Sequence, residues 1–253
     1  MCILGVAINI HPKYPFILVA NRDEFYDRDT ATAHFWPESP SLLAGRDLVR
    51  GGTWLGITKE GRFAALTNVR DGSYDSSNYS RGMLVKNYLL HSTDDRKLDK
   101  DLNLYDGFNL IYGNFKSLHY LSNYHSNTQE LNNGIHVLSN APALSPTWPK
   151  TEKLKKGLMG AMNTTNPASL EDELFKLLTD EVIYSDDTLP NTGVGLSMER
   201  TLSSIFIKSQ NYGTRSSTVI LVDKNKICTF IERSFVPKRE SRFTFKLEKA
   251  GTE

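Results

Sequence analysis

Cysteine is nearly absent from this chain, with only Cys2 and Cys228 among 253 residues. Two thiols cannot build a disulfide framework or a cysteine-based zinc site, and nothing in their spacing favours a Cys2–Cys228 bridge. Net charge is lacking as well. Lys+Arg 30 against Asp+Glu 29 leaves +1, which gives no electrostatic footprint for nucleic acid or an anionic membrane surface. The short basic runs, Lys150 with Lys153, Lys155 and Lys156 and then Lys238-Arg239, read as solvated faces. No apolar run is long enough to span a bilayer. Met1-Cys2 leads directly into a strand-like run without a basic segment before it, so no secretory signal is expected and a reduced, cytoplasmic setting is. The six histidines have no metal-ligand spacing, and there is neither a glycine-rich phosphate loop nor a Gly-x-Ser-x-Gly elbow. No metal site and no cofactor is expected on those grounds.

What is present is a succession of short apolar runs, some with period two and some continuous. Strands are expected over 2–9, 15–21, 53–58, 62–68, 107–112, 117–122, 134–139, 203–208, 217–223, 227–233 and 243–248. Lys59-Glu60-Gly61 and Asp223-Lys224-Asn225-Lys226 are turn segments that make antiparallel hairpins of the strands beside them. Helical periodicity is confined to the middle of the chain, over 81–91, 151–162 and 170–182. Asn166-Pro167 supplies an N-cap followed by proline at the first helical position. Residues 186–199 read as a long loop placed over a site. With no repeat and no low-complexity linker, residues 1–253 form one α+β domain of two antiparallel sheets covered by a few helices.

Several polar segments stand at expected strand ends. Cys2 directly follows the initiator. If Met1 is removed, Cys2 carries both a thiol and a free α-amine, with ordinary pKa values of about 8.5 and about 7.7–8.0. One residue then holds a nucleophile and its own base; as a small apolar residue Cys2 equally suits the start of a buried strand. Asn21-Arg22-Asp23-Glu24 cannot all be core, and strand alternation sends Arg22 and Glu24 one way and Asn21 and Asp23 the other. Gly51-Gly52-Thr53-Trp54-Leu55-Gly56 is either a tight turn or a pocket floor. Asn68 and Asn140 each close an apolar run, suited to donating to an oxyanion or to starting a turn. Arg215, beside the apolar run 219–222, needs a counter-charge such as Asp23 or Glu24, or an anionic ligand.

Met1-Cys2, the tetrad 21–24, Gly51-Gly52-Thr53-Trp54-Leu55-Gly56, Ala65-Leu66-Thr67-Asn68, Gly107-Phe108-Asn109-Leu110, Leu138-Ser139-Asn140-Ala141, Tyr212-Gly213-Thr214-Arg215 and Thr229-Phe230-Ile231-Glu232-Arg233-Ser234 together resemble the NRDE, or transport and Golgi organization protein 2-like, family over nearly the whole chain. That family is similar to the N-terminal nucleophile hydrolases of the penicillin V acylase and choloylglycine hydrolase type. The resemblance implies a four-layered αββα sandwich and hydrolysis of a non-peptide amide of a small-molecule substrate. It implies Cys2 as nucleophile, Arg22 with Asp23 or Glu24 as orienting groups, Asn68 at the oxyanion with Asn140 assisting, Arg215 as a late-strand arginine, and Asn21, Trp54 and whichever of the two carboxylates does not orient the thiol, Glu24 if Asp23 does, as binding residues. The hydrolases separate their arginine and aspartate by two residues, whereas Arg22 and Asp23 are adjacent. The family's association with haem and acyl-CoA implies an alternative, a non-catalytic carrier on the same fold.

Overall fold

Continuous apolar runs along β1 (Cys2–Ile8) and the first half of β2 (Phe16–Phe25) give both faces of one sheet a surface to bury, and the fold has three separate cores. The computed structural model describes residues 2–72, 77, 79–91, 102–125 and 127–248. After β2 the chain forms a meander: β3 (Thr30–Trp36), β4 (Ser39–Asp47), β5 (Leu55–Thr58) and β6 (Arg62–Asn68). Then come α1 (Arg81–His91), β7 (Phe108–Asn114), β8 (Ser117–Ser122), β9 (Gln129–Glu130) and β10 (Gly134–Leu138). Helices α2 (Pro149–Ala161), α3 (Pro167–Leu178) and α4 (Leu196–Thr201) follow, then β11 (Tyr212–Val222), β12 (Ile227–Phe235) and β13 (Lys238–Lys246).

One sheet has the order β10-β1-β2-β11-β12-β13 and the other runs β3 to β9 in sequence, and every pairing within them is antiparallel. Leu4, Val6, Leu18, Ile220 and Phe230 of the first sheet meet Leu43, Ile57, Phe63 and Ile111 of the second. The opposite face of the first sheet, with Ile3, Ile17, Val19 and Val219, packs on Leu154, Leu158, Leu170 and Leu174 of α2 and α3. The outer face of the second sheet, through Leu42, Ala64 and Leu110, packs on Leu84, Val85 and Leu89 of α1. Three cores separate four layers, α2–α3, sheet, sheet and α1, which is the expected αββα sandwich.

The departures have local causes. Residues 203–208 form no strand, because their backbone is committed elsewhere: Ile205 O accepts the Asn21 amide, and Thr214 Oγ1 accepts the Ile207 N–H. Strands β3 and β4 escaped the pattern because their burial does not alternate, and Pro40 near the start of β4 reads as a strand breaker. The loop 186–199 contains a turn of 3-10 helix over Asp186–Thr188 and runs into α4. Strand β2 continues through the polar tetrad to Phe25, because β11 extends beside it as far as Tyr212.

Candidate active site at the Cys2 end of the sheets

Register brings the first residues of the site together. Cys2 pairs with Arg22, Arg22 with Ser216, and Ser216 with Ser234, a row across four adjacent strands. Parity with Leu4 and Leu18 turns this row into the space between the sheets. Arg22 is 6% exposed. Its guanidinium lies 4.1 Å above the Trp54 ring, donates to Thr30 Oγ1 at 3.2 Å and stands 3.8 Å from Glu24 Oε2. Gly45 makes room for the indole, since a Cβ there would lie 2.4 Å from Trp54. Burial pulls the Arg22 pKa down, opposed by Glu24 and Cys2.

Asn21 and Asp23 face the helical layer, as alternation requires. Asn21 donates to Leu178 O and Ile205 O, both at 2.8 Å, and accepts the Ser217 hydroxyl at 2.6 Å, so its amide is a tie between layers. Asp23 Oδ1 accepts the Thr214 hydroxyl at 2.6 Å. Burial raises the Asp23 pKa, opposed in part by Lys150 and by the Thr214 bond. Burial likewise raises the Cys2 thiol; the Asp23 charge adds to this, while Arg22 and the Asp23 backbone N–H at the sulfur oppose it. The antiparallel register sets Asp23 one position beyond Cys2.

Arg215 occupies a β-bulge between Thr214 and Ser216, which re-aims its side chain. Its guanidinium donates to four carbonyls, Phe25 O, Tyr26 O and Arg28 O through Nη1 and Val236 O through Nη2. Arg215 clamps the β2–β3 and β12–β13 turns, where the sequence suggested a partner among Asp23, Glu24 and a ligand.

From the second sheet, half-buried Asn68 ends β6 with no side-chain hydrogen bond among the described residues. Asn140 is buried; its Nδ2 donates to Asn68 O at 2.9 Å, and its own carbonyl accepts the Arg70 N–H at 2.8 Å. Lys150 corrects the reading of its run as a solvated face. It is 2% exposed, donates to Leu202 O at 2.8 Å, and burial lowers its pKa to about 8. Arg70 pushes it the same way, while Asp23, Glu199 and Cys2 oppose.

Sequence reasoning passed over Arg70, Glu199, Tyr212 and Glu232 as site residues. Arg70 Nη2 binds Glu199 Oε2 at 2.7 Å with both side chains 4% exposed. Glu232, two residues along β12 from Ser234, accepts the Ala33 N–H at 2.6 Å, and burial raises its pKa. Its parity with Phe230 on an apolar strand was the available signal. The tyrosine Tyr212 is likewise held well above its ordinary value by burial, with Asp23 and Cys2 adding to the shift. Both cysteines are free thiols, so no Cys2–Cys228 bridge forms. Among the described residues no three His, Cys, Asp or Glu side chains are grouped to hold a metal ion, and no helix is long and apolar enough to cross a membrane.

The sequence family model described as Transport and Golgi organisation 2 matches residues 1–237. A mouse protein (Mus musculus), Transport and Golgi organization 2 homolog, is 33% identical over 96% of both chains. Its human counterpart (Homo sapiens) is 34% identical over 94% of both. Among solved structures, the Caenorhabditis elegans N-acylethanolamine-hydrolyzing acid amidase ortholog superposes with a TM-score of 0.47 at 11% identity, covering 87% of this chain and 92% of that one.

Proposed function

The chain belongs to the Transport and Golgi organisation 2 family, and on that footing we propose that it is an N-terminal-cysteine amidohydrolase, cleaving a non-peptide C–N amide of a small molecule through a thioester on Cys2. The observation that carries this reading is the Cys2–Arg22 register pair at the mouth between the sheets, with Asp23 one position beyond the thiol. Once Met1 is removed, the Cys2 α-amine is the base. Asp23 then faces that amine and holds it in place, as the third group of a triad orients its base.

Burial keeps the Cys2 sulfur as a thiol at rest, so its proton moves in the attacking step and goes to the α-amine. The S–C bond forms and the carbonyl electrons move onto oxygen, where the uncommitted Asn68 amide donates to the oxyanion. Collapse breaks the C–N bond, and the α-ammonium returns its proton to the leaving nitrogen. Water, deprotonated by the same amine, then attacks the thioester, releasing the acid and the free thiol. Arg22, pinned over Trp54, supplies fixed positive charge beside the sulfur.

Alkylation by iodoacetamide tests this, with wild type compared against Cys2→Ala over a range of pH. The expected result is labelling at the partly exposed Cys2 that accelerates as rising pH frees the α-amine to act as its base. Cys228 should stay inert, because burial in the core pushes its thiol far up. Equal, slow labelling of both cysteines would leave Cys2 a packing residue.

A further inference from the structure

Most buried polar side chains here are saturated by the fold. Asn109 donates to Thr67 Oγ1, Ser139 O and Ala141 O, and accepts the Tyr120 hydroxyl. The loops leaving β6 and β10 hold a concentrated exception. Among the described residues, Arg70 Nε and Nη1, Asn140 Oδ1 and Ser139 Oγ are buried without a partner. The loops are knitted together by the Arg70 N–H to Asn140 O and by Asn140 Nδ2 to Asn68 O. The second bond fixes the Asn140 amide, so its free oxygen is an acceptor awaiting a donor.

Glu199 cannot answer the rest of Arg70. Its Oε1 already accepts the Thr192 N–H at 2.8 Å and the Thr192 hydroxyl at 2.6 Å, leaving Oε2 for the single Nη2 bond. The guanidinium lies 4.9 Å from the centre of the Trp148 ring, and the Lys150 ammonium adds a second positive charge nearby. A buried polar group without a partner costs about 1–3 kcal/mol, so these four atoms need an explanation outside the chain.

We propose that Arg70, Asn140 and Ser139 form a subsite for a small anionic ligand group, a carboxylate or phosphate, borne next to an N–H or O–H. The anion meets the Arg70 donors, the neighbouring N–H or O–H meets Asn140 Oδ1, and the Ser139 hydroxyl serves either. An apolar ligand would leave all four atoms unsatisfied. The subsite and the thiol lie within electrostatic reach of the same two groups: Lys150 feels the charges of both Arg70 and Cys2, and Tyr212 feels Cys2 while acting on Arg70. It does not rest on hydrolysis, and a chain that keeps Met1 would show it equally.

Thermal shift and calorimetric titration of the full chain test the subsite with three probes: N-acetylglycine, its uncharged counterpart N-acetylglycinamide, and inorganic phosphate. The expected result is that an anion in the millimolar range raises the unfolding temperature, while N-acetylglycinamide binds about tenfold more weakly or not at all. A response to N-acetylglycine assigns the subsite to carboxylates, and a response to phosphate alone assigns it to phosphoryl groups. The double variant Arg70→Met/Glu199→Met removes both members of the buried pair and avoids an unpaired charge. It should stay folded by circular dichroism and lose the preference for anions. Equal binding of N-acetylglycine and N-acetylglycinamide, binding of no anion, or a preference that persists in the double variant would overturn the proposal.

Discussion

Lys150 shows how far one residue's surroundings redefine it. In sequence it begins a basic run at the N-terminus of an amphipathic helix, the usual place for a solvated charge. In the fold it lies beneath Leu202 O with its pKa lowered to about 8 from an ordinary 10.5. The unfolded chain therefore holds a proton that the folded chain has released between pH 8 and pH 10.5. The penalty for burying the charge is full below pH 8 and fades as the pH climbs through that window. At about 1.4 kcal/mol per pH unit, the charged lysine costs the fold about 3 kcal/mol near neutrality. Urea unfolding of wild type and Lys150→Met should show wild type gaining about that much on the variant between neutrality and pH 10.5. A difference that stays flat with pH would contradict this. The burial was not legible in the sequence, because it depends on the 202–207 segment folding over α2 from far along the chain.

Elements are positioned by a few close backbone approaches. Gly52 lies against the start of α1, where a Cβ would stand 2.5 Å from the Gly82 carbonyl carbon. The Thr53 N–H donates to Gly82 O at 3.1 Å, so the contact registers α1 against the second sheet. Gly52→Ala is expected to destabilise by about 1–3 kcal/mol, since backbone cannot yield as a side chain does. Gly160, in the last turn of α2, has open space where its Cβ would be. Gly160→Ala should therefore stabilise by about 0.5–1 kcal/mol through helix propensity alone. Chemical denaturation of the two variants side by side checks both signs. At this scale the sequence was informative wherever pattern and turn agreed. The Asn166 cap, the β5–β6 and β11–β12 hairpins, and the bounds of β6 and β8 all follow from it. Strands β3 and β4 were hidden, because β3 lies at a sheet edge and the burial of both follows no period.

At the scale of the whole molecule, the site exists because β11 returns from the far end of the chain to lie beside β2. That return brings Ser216 next to Arg22 and Thr214 next to Asp23. The sequence alone displayed the polar segments and their order but not which of them meet. Alternation correctly separated Arg22 and Glu24 from Asn21 and Asp23. It could not reveal that Asn21 is spent on Leu178 and Ile205 carbonyls, nor that Arg215 is spent on turn carbonyls. The buried Arg70–Glu199 pair joins the loop after β6 to α4, two segments that no local pattern connects.

Intact mass spectrometry of the protein isolated from its native host decides whether Cys2 works as an N-terminal residue. The expected mature chain is lighter by one methionine, with Edman sequencing starting at Cys2. A mature chain that retains Met1 would leave the amine one residue away from the thiol and would contradict the mechanism.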